Sequence, residues 1–280
     1  VQQRKKQLEK AKRKYYHPSE EEKNVWLPDM SDEEYFMLPE EYHSSSRIMQ
    51  HFRQDAKSAE IFERVKKYTP ALQMGSLIHA HILTPEILPD LKHLEEDLEE
   101  RFGAVEVPEG AEPKVREVNG KTYKTYPKRK PSALERVERA VDAAFDDTDI
   151  MAALEGADRE FAGLLEDFHG IKVRIKADAI HFGDGVLIDV KTSTKSLKAF
   201  HKEVLSDEPL IPYRQQAALY LDVANELNRL SGIPTRFDKF IWAFVSTSKA
   251  ETGIVECPDE ILEVGRQEYL QYIKDIKENG

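Results

Sequence analysis

Apolar and polar residues alternate from Ile171 to Asp178 and again from Ile188 to Lys191 within IKVRIKADAIHFGDGVLIDVK. A period of two marks strands with two distinct faces. In the first strand, Ile171, Val173, Ile175 and Ala177 share one face, and Lys172, Arg174, Lys176 and Asp178 share the other. In the second, Ile188 and Val190 point one way, and Asp189 and Lys191 the other. Gly183-Asp184-Gly185 supplies a turn that lets the two pair as a hairpin.

Elsewhere the period lengthens to that of helices. SRIMQHFRQDAKSAEIFERVKKY reads as a helix capped by Ser44, Ser45 or Ser46. ALQMGSLIHAHIL is a second, stopped near Thr84-Pro85, with Gly75 and His79 four apart on one face. Residues 90 to 102 and 132 to 155 are helical by period, with a strand expected over 159 to 165. PYRQQAALYLDVANELNRL is amphipathic and sets Gln216 and Tyr220 on one face. KFIWAFVSTS reads as a core strand, TGIVECP as a shorter one, and EILEVGRQEYLQYIKDIKE as a closing helix.

Between 103 and 131, prolines, glycines and charges interrupt these patterns. Inside that insertion KVREV-NG-KTYKTY is a hairpin signal, followed by the basic patch PKRKP. Residues 1 to 14 carry seven Lys or Arg and read as a helix or a basic arm. Residues 17 to 41 are acidic, hold Pro18, Pro28 and Pro39, and read as a linker. The expected organisation is an extension or linker over 1–41 and one domain over 42–280, with the insertion inside it.

Composition narrows the class. The chain has 280 residues, 40% hydrophobic and 33% charged, as in ordinary globular proteins. A net charge of -11 argues against an indiscriminate nucleic-acid coat, but leaves room for an enzyme with a local basic channel. The single cysteine, Cys257, permits no intrachain disulfide and fits a reducing, cytoplasmic setting. No apolar run approaches a transmembrane length, and no membrane partner is expected.

The 171–191 hairpin brings two carboxylates and an amine together beside a core. Paired carboxylates hold divalent cations, and a neighbouring lysine can help activate water or stabilise a pentavalent phosphate. A D-x-K tripeptide is common, however, and charged residues outward on a hairpin usually mark a solvated sheet face. The segment alone leaves both readings open.

Four pieces stand in order along the chain: Gly75-x-x-x-His79, Asp178, Asp189-Val190-Lys191 and Gln216-x-x-x-Tyr220. Together they resemble the RecB-like branch of the PD-(D/E)xK nuclease superfamily, and most closely its RecE-type (exonuclease VIII-like) exonucleases. QMGSLIHAHILTPE looks like that family's G-x-x-x-H helix and Pro-Glu turn, and EPKVREVNGKTY like its insertion before the catalytic core. The likeness spans about residues 42 to 275, and departs from the pattern where Ala177 replaces the motif's proline.

The resemblance implies an α/β fold with a central mixed sheet flanked by helices. It implies Asp178 and Asp189 as ligands of one or two Mg²⁺ ions, with the Val190 carbonyl and His79 completing the site. Glu160 is the candidate fourth acidic ligand. Mn²⁺ is expected to substitute, because an imidazole nitrogen suits it better than Mg²⁺. Lys191 is assigned an electrostatic and orienting role. Gln216 is expected to bond Lys191 or the DNA backbone, and Tyr220 to stack or hydrogen-bond near the substrate strand. Lys172, Arg174, Lys176, Lys195, Lys198 and Lys202 are candidate phosphate contacts. Thr192 and Ser193 are placed to bind a phosphate beside the scissile one.

The implied activity is 5′-to-3′ digestion of linear double-stranded DNA that leaves 3′ single-stranded tails. A ring-shaped homo-oligomer and a partner single-strand annealing protein are implied with it. The rivals are a RecB-like nuclease of other polarity, a site-specific endonuclease and a catalytically idle DNA-end-binding protein. A Cas4-like iron–sulfur protein needs a cysteine cluster that one cysteine cannot supply.

Overall fold

The computed structural model describes residues 18–51, 69–118, 121–206 and 213–279. Its strands are β1 (Val25–Leu27), β2 (Tyr42–His43), β3 (Lys114–Val118), β4 (Lys121–Thr125), β5 (Asp158–Phe168), β6 (Ile171–His181), β7 (Val186–Ser193), β8 (Lys239–Ser246) and β9 (Thr252–Glu256). Its α-helices are α1 (Asp32–Phe36), α2 (Ser45–His51), α3 (Pro70–Leu83), α4 (Lys92–Phe102), α5 (Ala133–Asp146), α6 (Thr148–Leu154), α7 (Leu197–Val204), α8 (Tyr213–Ser231) and α9 (Asp259–Asn279). Among the described residues no helix is long and apolar enough to cross a membrane.

The main sheet is mixed and runs β1-β5-β6-β7-β8-β9, with β2 also on β6. Neighbours are antiparallel except β7–β8 and β2–β6. The parallel β7–β8 pair requires a crossover, which α7 and α8 provide. This is the expected α/β architecture of a mixed sheet flanked by helices.

Two cores lie against the sheet. Ala217, Val223 and Leu227 of α8 pack with Phe240, Trp242 and Phe244 of β8. Leu77 and Ile78 of α3 and Val137 and Ala140 of α5 pack with Val190 of β7 and Ala243 and Val245 of β8. β8 therefore buries both of its faces, which is why KFIWAFVS is almost continuously apolar. Each fully buried large side chain contributes roughly 1.5–3 kcal/mol.

The meeting of β6 and β7 matters most. Their ladder pairs Ala179 with Ile188, Ile180 with Leu187 and His181 with Val186, next to the turn. Beyond it, β7 continues beside β8 as far as Ser193. β6 stays beside β5 and gains β2 at Lys172 and Val173. The two strands fork, and Asp178 and Asp189 are the first residues past the last pair. The apolar positions change side at the same place: Val173, Ile175 and Ala177 belong to the α8 core, but Ala179 belongs to the α3 core.

Two expectations need correction. Residues 17–41 do not read as a linker in three dimensions, because β1 closes one edge of the sheet on β5. Met30, Tyr35, Leu38 and Tyr42 form a third core with Ala162 and Leu164. Trp26 donates its indole N–H to Asn228 at 2.8 Å. The helix expected over 132–155 breaks at Asp147, whose carboxylate accepts the N–H groups of Asp149 and Ile150 and caps a new helix. The helix expected from Ser44 is described only as far as His51, and the basic stretch 1–14 lies outside the described residues.

Candidate active site at the strand fork

The fork leaves a backbone donor of β7 without a strand partner, and a side chain replaces that partner. Val190 N–H donates to Asp178 Oδ2 at 2.7 Å. Asp189 is almost fully buried at the same place. Its Oδ1 accepts from Gln216 Nε2 at 2.8 Å and from Lys191 Nζ at 3.0 Å. Its Oδ2 stands 2.7 Å from the same ammonium, so both oxygens of Asp189 face Lys191.

Two helices complete the site from opposite sides of the sheet. From α3, His79 Nδ1 lies 3.7 Å from Asp178 Oδ2, and the ring also hydrogen-bonds the backbone of Val190. α3 comes this close because residue 75 is glycine: a Cβ there would meet Thr192 Oγ1 at 3.0 Å. Glycine and histidine four residues apart thus do two jobs on one helix face. From α8, Tyr213, Gln216 and Tyr220 face the fork at helical spacing. Lys191 Nζ sits 5.3 Å from the Tyr213 ring centre. Arg214 fixes the start of α8 by donating to Glu268 and to the Ser206 carbonyl.

Charge and burial oppose each other here. Burial, and then the Asp189 carboxylate, push Asp178 well above the usual carboxylate range. Burial pulls the Lys191 ammonium down, but Asp189 and Asp178 outweigh it and hold its pKa above normal. Burial lowers the His79 imidazole, offset in part by Asp189, so the ring is a neutral donor and acceptor.

Several assigned roles change. Gln216 donates to Asp189, in place of the expected Lys191 or DNA backbone. Tyr220 is buried in the α8 core and hydrogen-bonds Ser45 of α2, so it has no free face for stacking on a substrate. Glu160 sits between the β5 positions paired with Ala177 and Ala179, beside Asp178, and bridges Lys176 at 2.7 Å. The candidate phosphate contacts divide. Lys172 bridges Glu41 and Glu166, Lys176 bridges Asp32 and Glu160, and Arg174 lies over Tyr35 and donates to its carbonyl. Lys195 bridges Glu203, whereas Lys198 and Lys202 are exposed. Thr192 packs against Gly75, and Ser193 Oγ accepts the Lys195 N–H at 3.2 Å.

Ser45, Tyr213, Tyr35 and Asp32 went unassigned on sequence alone. Tyr213 had a usable signal, standing three residues before Gln216 on the same helix face. Tyr35 and Asp32 come from the N-terminal segment, whose acidic, proline-marked text carries no periodic pattern, and Ser45 reads in the sequence only as a helix cap.

The donor set suits a hard divalent cation: the carboxylates of Asp178 and Asp189 and the Val190 carbonyl are all oxygen donors, and Asp189 is almost fully buried. Among the described residues no three His, Cys, Asp or Glu side chains already stand at ligand spacing. The side-chain set is therefore two carboxylates, with the Lys191 ammonium as the local counter-charge.

Comparison with known proteins agrees with this geometry. No curated protein sequence matches the chain. A crystal structure named "Putative exonuclease", from Eubacterium rectale, is 15% identical with a TM-score of 0.53, covering 89% of this chain and 85% of its own, and so shares the fold. The structure of SSO0001 is 20% identical with a TM-score of 0.26, over 49% of this chain and 67% of that one, too slight a likeness to carry an argument. The family described as "PDDEXK-like domain of unknown function (DUF3799)" matches residues 44–279. With that match over most of its length, and with Asp178 and Asp189-Val190-Lys191 meeting at the strand fork, the chain belongs to this PDDEXK-like family and is of the RecB-like PD-(D/E)xK nuclease type.

Proposed function

We propose that this protein is a divalent-metal-dependent exodeoxyribonuclease of the RecE type, acting on linear double-stranded DNA. The observation that carries the reading is the fork itself. Asp178 and Asp189 meet where two strands part, with Lys191 held between the carboxylates and solvent. A merely solvated sheet face would not bury Asp189 or aim a glutamine at it from a neighbouring helix.

Asp178, Asp189 and the Val190 carbonyl would hold Mg²⁺, with Mn²⁺ as a substitute. The chemistry a cation supplies in such a site is a bound water of lowered pKa and neutralised charge on the scissile phosphate. The chain's own residues do the rest. Lys191 stays protonated between two carboxylates, so it stabilises charge and orients water instead of removing a proton. Gln216 fixes the rotamer of Asp189. His79 supports Asp178 and the Val190 backbone from the other side. Exposed Lys198 and Lys202 contact the substrate backbone on this reading. Digestion from the 5′ end, 3′ single-stranded tails for recombination, a homo-oligomeric ring and an annealing partner complete the proposal. They rest on the resemblance of the motifs.

The test is digestion of linear duplex DNA labelled separately at its 5′ and 3′ ends, beside closed circular DNA, in Mg²⁺ and in Mn²⁺. Early release of 5′ label from linear DNA alone, lost in Lys191→Ala, is the expected result. Early 3′ release reverses the polarity, and cutting of the circle makes the enzyme an endonuclease. No cutting with either ion leaves a DNA-end-binding protein.

A further inference from the structure

The insertion before β5 carries a second hairpin that takes no part in the main sheet. β3 and β4 pair only with each other, in register from Lys114↔Thr125 to Val118↔Lys121. A lone two-stranded ribbon gains little from its own packing. This one keeps its side chains in water: Val115 is 61%, Tyr123 53% and Tyr126 63% exposed. From 114 to 130 the sequence has seven Lys or Arg against a single acidic residue, Glu117, in a chain whose net charge is -11. Four of the seven, Lys114, Arg116, Lys121 and Lys124, lie on the ribbon itself.

Register sorts them further. Directly paired residues share a face, so Lys114, Arg116, Tyr123 and Lys121 lie on one side of the ribbon. Lys124 lies on the other, beside Val115. Among the described residues none of these four cations stands within salt-bridge distance of a carboxylate. The lysines near the fork differ in this, since Lys172 and Lys176 are both paired. The base of the ribbon is anchored. Val105 and Lys130 exchange backbone hydrogen bonds, and Arg129 bridges Glu106 and Glu135 at the start of α5. α5 packs on α3, the helix that bears His79.

We infer that the β3–β4 ribbon is a duplex-gripping arm. Its cationic face lies along the phosphates of double-stranded DNA, whose major groove admits a two-stranded ribbon. Tyr123 lies among those cations and packs against the sugar-phosphate backbone. The inference rests on the nuclease reading for the identity of the ligand. It adds the element that holds the duplex while the fork acts on an end.

The test is fluorescence anisotropy of the full chain with a blunt duplex oligonucleotide in EDTA, over a range of salt, with cleavage measured in parallel. Lys114→Glu/Arg116→Glu/Lys121→Glu is the main variant and Lys191→Ala the control. Circular dichroism checks the fold of each. For every phosphate that the protein no longer neutralises, the log–log salt slope falls by about 0.9. The triple variant is expected to bind at least tenfold more weakly, with a slope smaller by about 2 to 3, while Lys191→Ala loses cleavage and, at most, the one phosphate contact worth about 0.9 in slope. If the unaltered protein binds and cuts DNA and the triple variant matches it in affinity and slope, the arm is refuted and the nuclease stands. Binding that depends on the ribbon in a protein that cuts nothing refutes the nuclease and keeps the arm. Should the unaltered protein bind no duplex, the arm falls, and cleavage alone decides the nuclease. A change in sedimentation of the triple variant, with duplex affinity unaltered, makes the ribbon an interface between copies and overturns the inference.

Discussion

The chain builds two hairpins from similar local instructions and uses them in opposite ways. In both, the sequence alternates polar and apolar residues around a turn signal, Asn119-Gly120 in one and Gly183-Asp184-Gly185 in the other. The β6–β7 hairpin lies inside the sheet, with helices on both faces, and its strands part before their ends. The β3–β4 hairpin lies outside the sheet and stays zipped along its whole length. Burial makes the difference chemically. Inside, a carboxylate left at a fork must be matched by Val190 N–H, Gln216 and Lys191, because an unmatched buried charge is costly. Outside, water satisfies Lys114 and Arg116, so nothing forces a protein partner on them. A pattern of period two specifies a strand; the surroundings decide whether its polar face becomes a site or a surface.

That comparison can be broken in four places. The largest effect is expected at the fork. Lys191→Ala should lower the rate of DNA cleavage by about a hundredfold to a thousandfold, the scale for losing one preorganised stabiliser of transition-state charge. Single-turnover cleavage measures it, and a loss under about threefold would remove Lys191 from the mechanism.

Next comes the cover over the buried hairpin. Trp26 packs on Phe161 of β5 and on Phe182 at the β6–β7 turn, with ring centres 5.7 and 5.9 Å away. Trp26→Ala should cost about 3 kcal/mol in urea unfolding. A cost below about 1 kcal/mol would return residues 18–41 to the status of a linker.

A smaller effect concerns pH. His43 of β2, which pairs with β6 beyond the fork, accepts or donates one hydrogen bond with Tyr272 at 2.8 Å. Burial, and secondarily Arg47, lower its pKa to about 4. The unfolded chain takes up the proton near 6.5 and the folded chain does not, so stability is fully present above about 6.5 and is lost as pH falls toward 4. Its partial exposure holds the loss to the order of 1 kcal/mol. His43→Gln should flatten unfolding curves between those pH values, and an unchanged slope would contradict the assignment.

The smallest effect is expected on the exposed ribbon. Tyr123→Thr should change stability by no more than about 0.5 kcal/mol, because the side chain is in water and threonine keeps β propensity. A loss of about 2 kcal/mol would mean that the ribbon is buried against something in solution.

Much of the fold is legible in the sequence. The β6–β7 and β3–β4 hairpins, the core strand over 239–246 and the long helices α3, α8 and α9 lie where the periodicity puts them. Their patterns are long, and turn residues bound them. Legibility fails where a signal is short or absent. β1 is three residues long and forms on β5, more than a hundred residues away. The break at Asp147 hides within a helical period, because a capping carboxylate and a mid-helix aspartate look alike in text.

The site divides in the same way. Sequence by itself determined the chemical inventory: Asp178, Asp189, Val190 and Lys191 on two strands, Gly75 and His79 on one helix face, Gln216 and Tyr220 on another. Which of them share a face follows from spacing along a single element, and the resemblance of the motifs is what joins them into one candidate site. Tertiary structure alone decided the partners. Gln216 turned to Asp189, Tyr220 to Ser45, and Lys172 and Lys176 to carboxylates of the N-terminal segment. Those pairings join residues distant in sequence. They are settled by burial, because a polar group removed from water takes whichever partner the fold brings within reach.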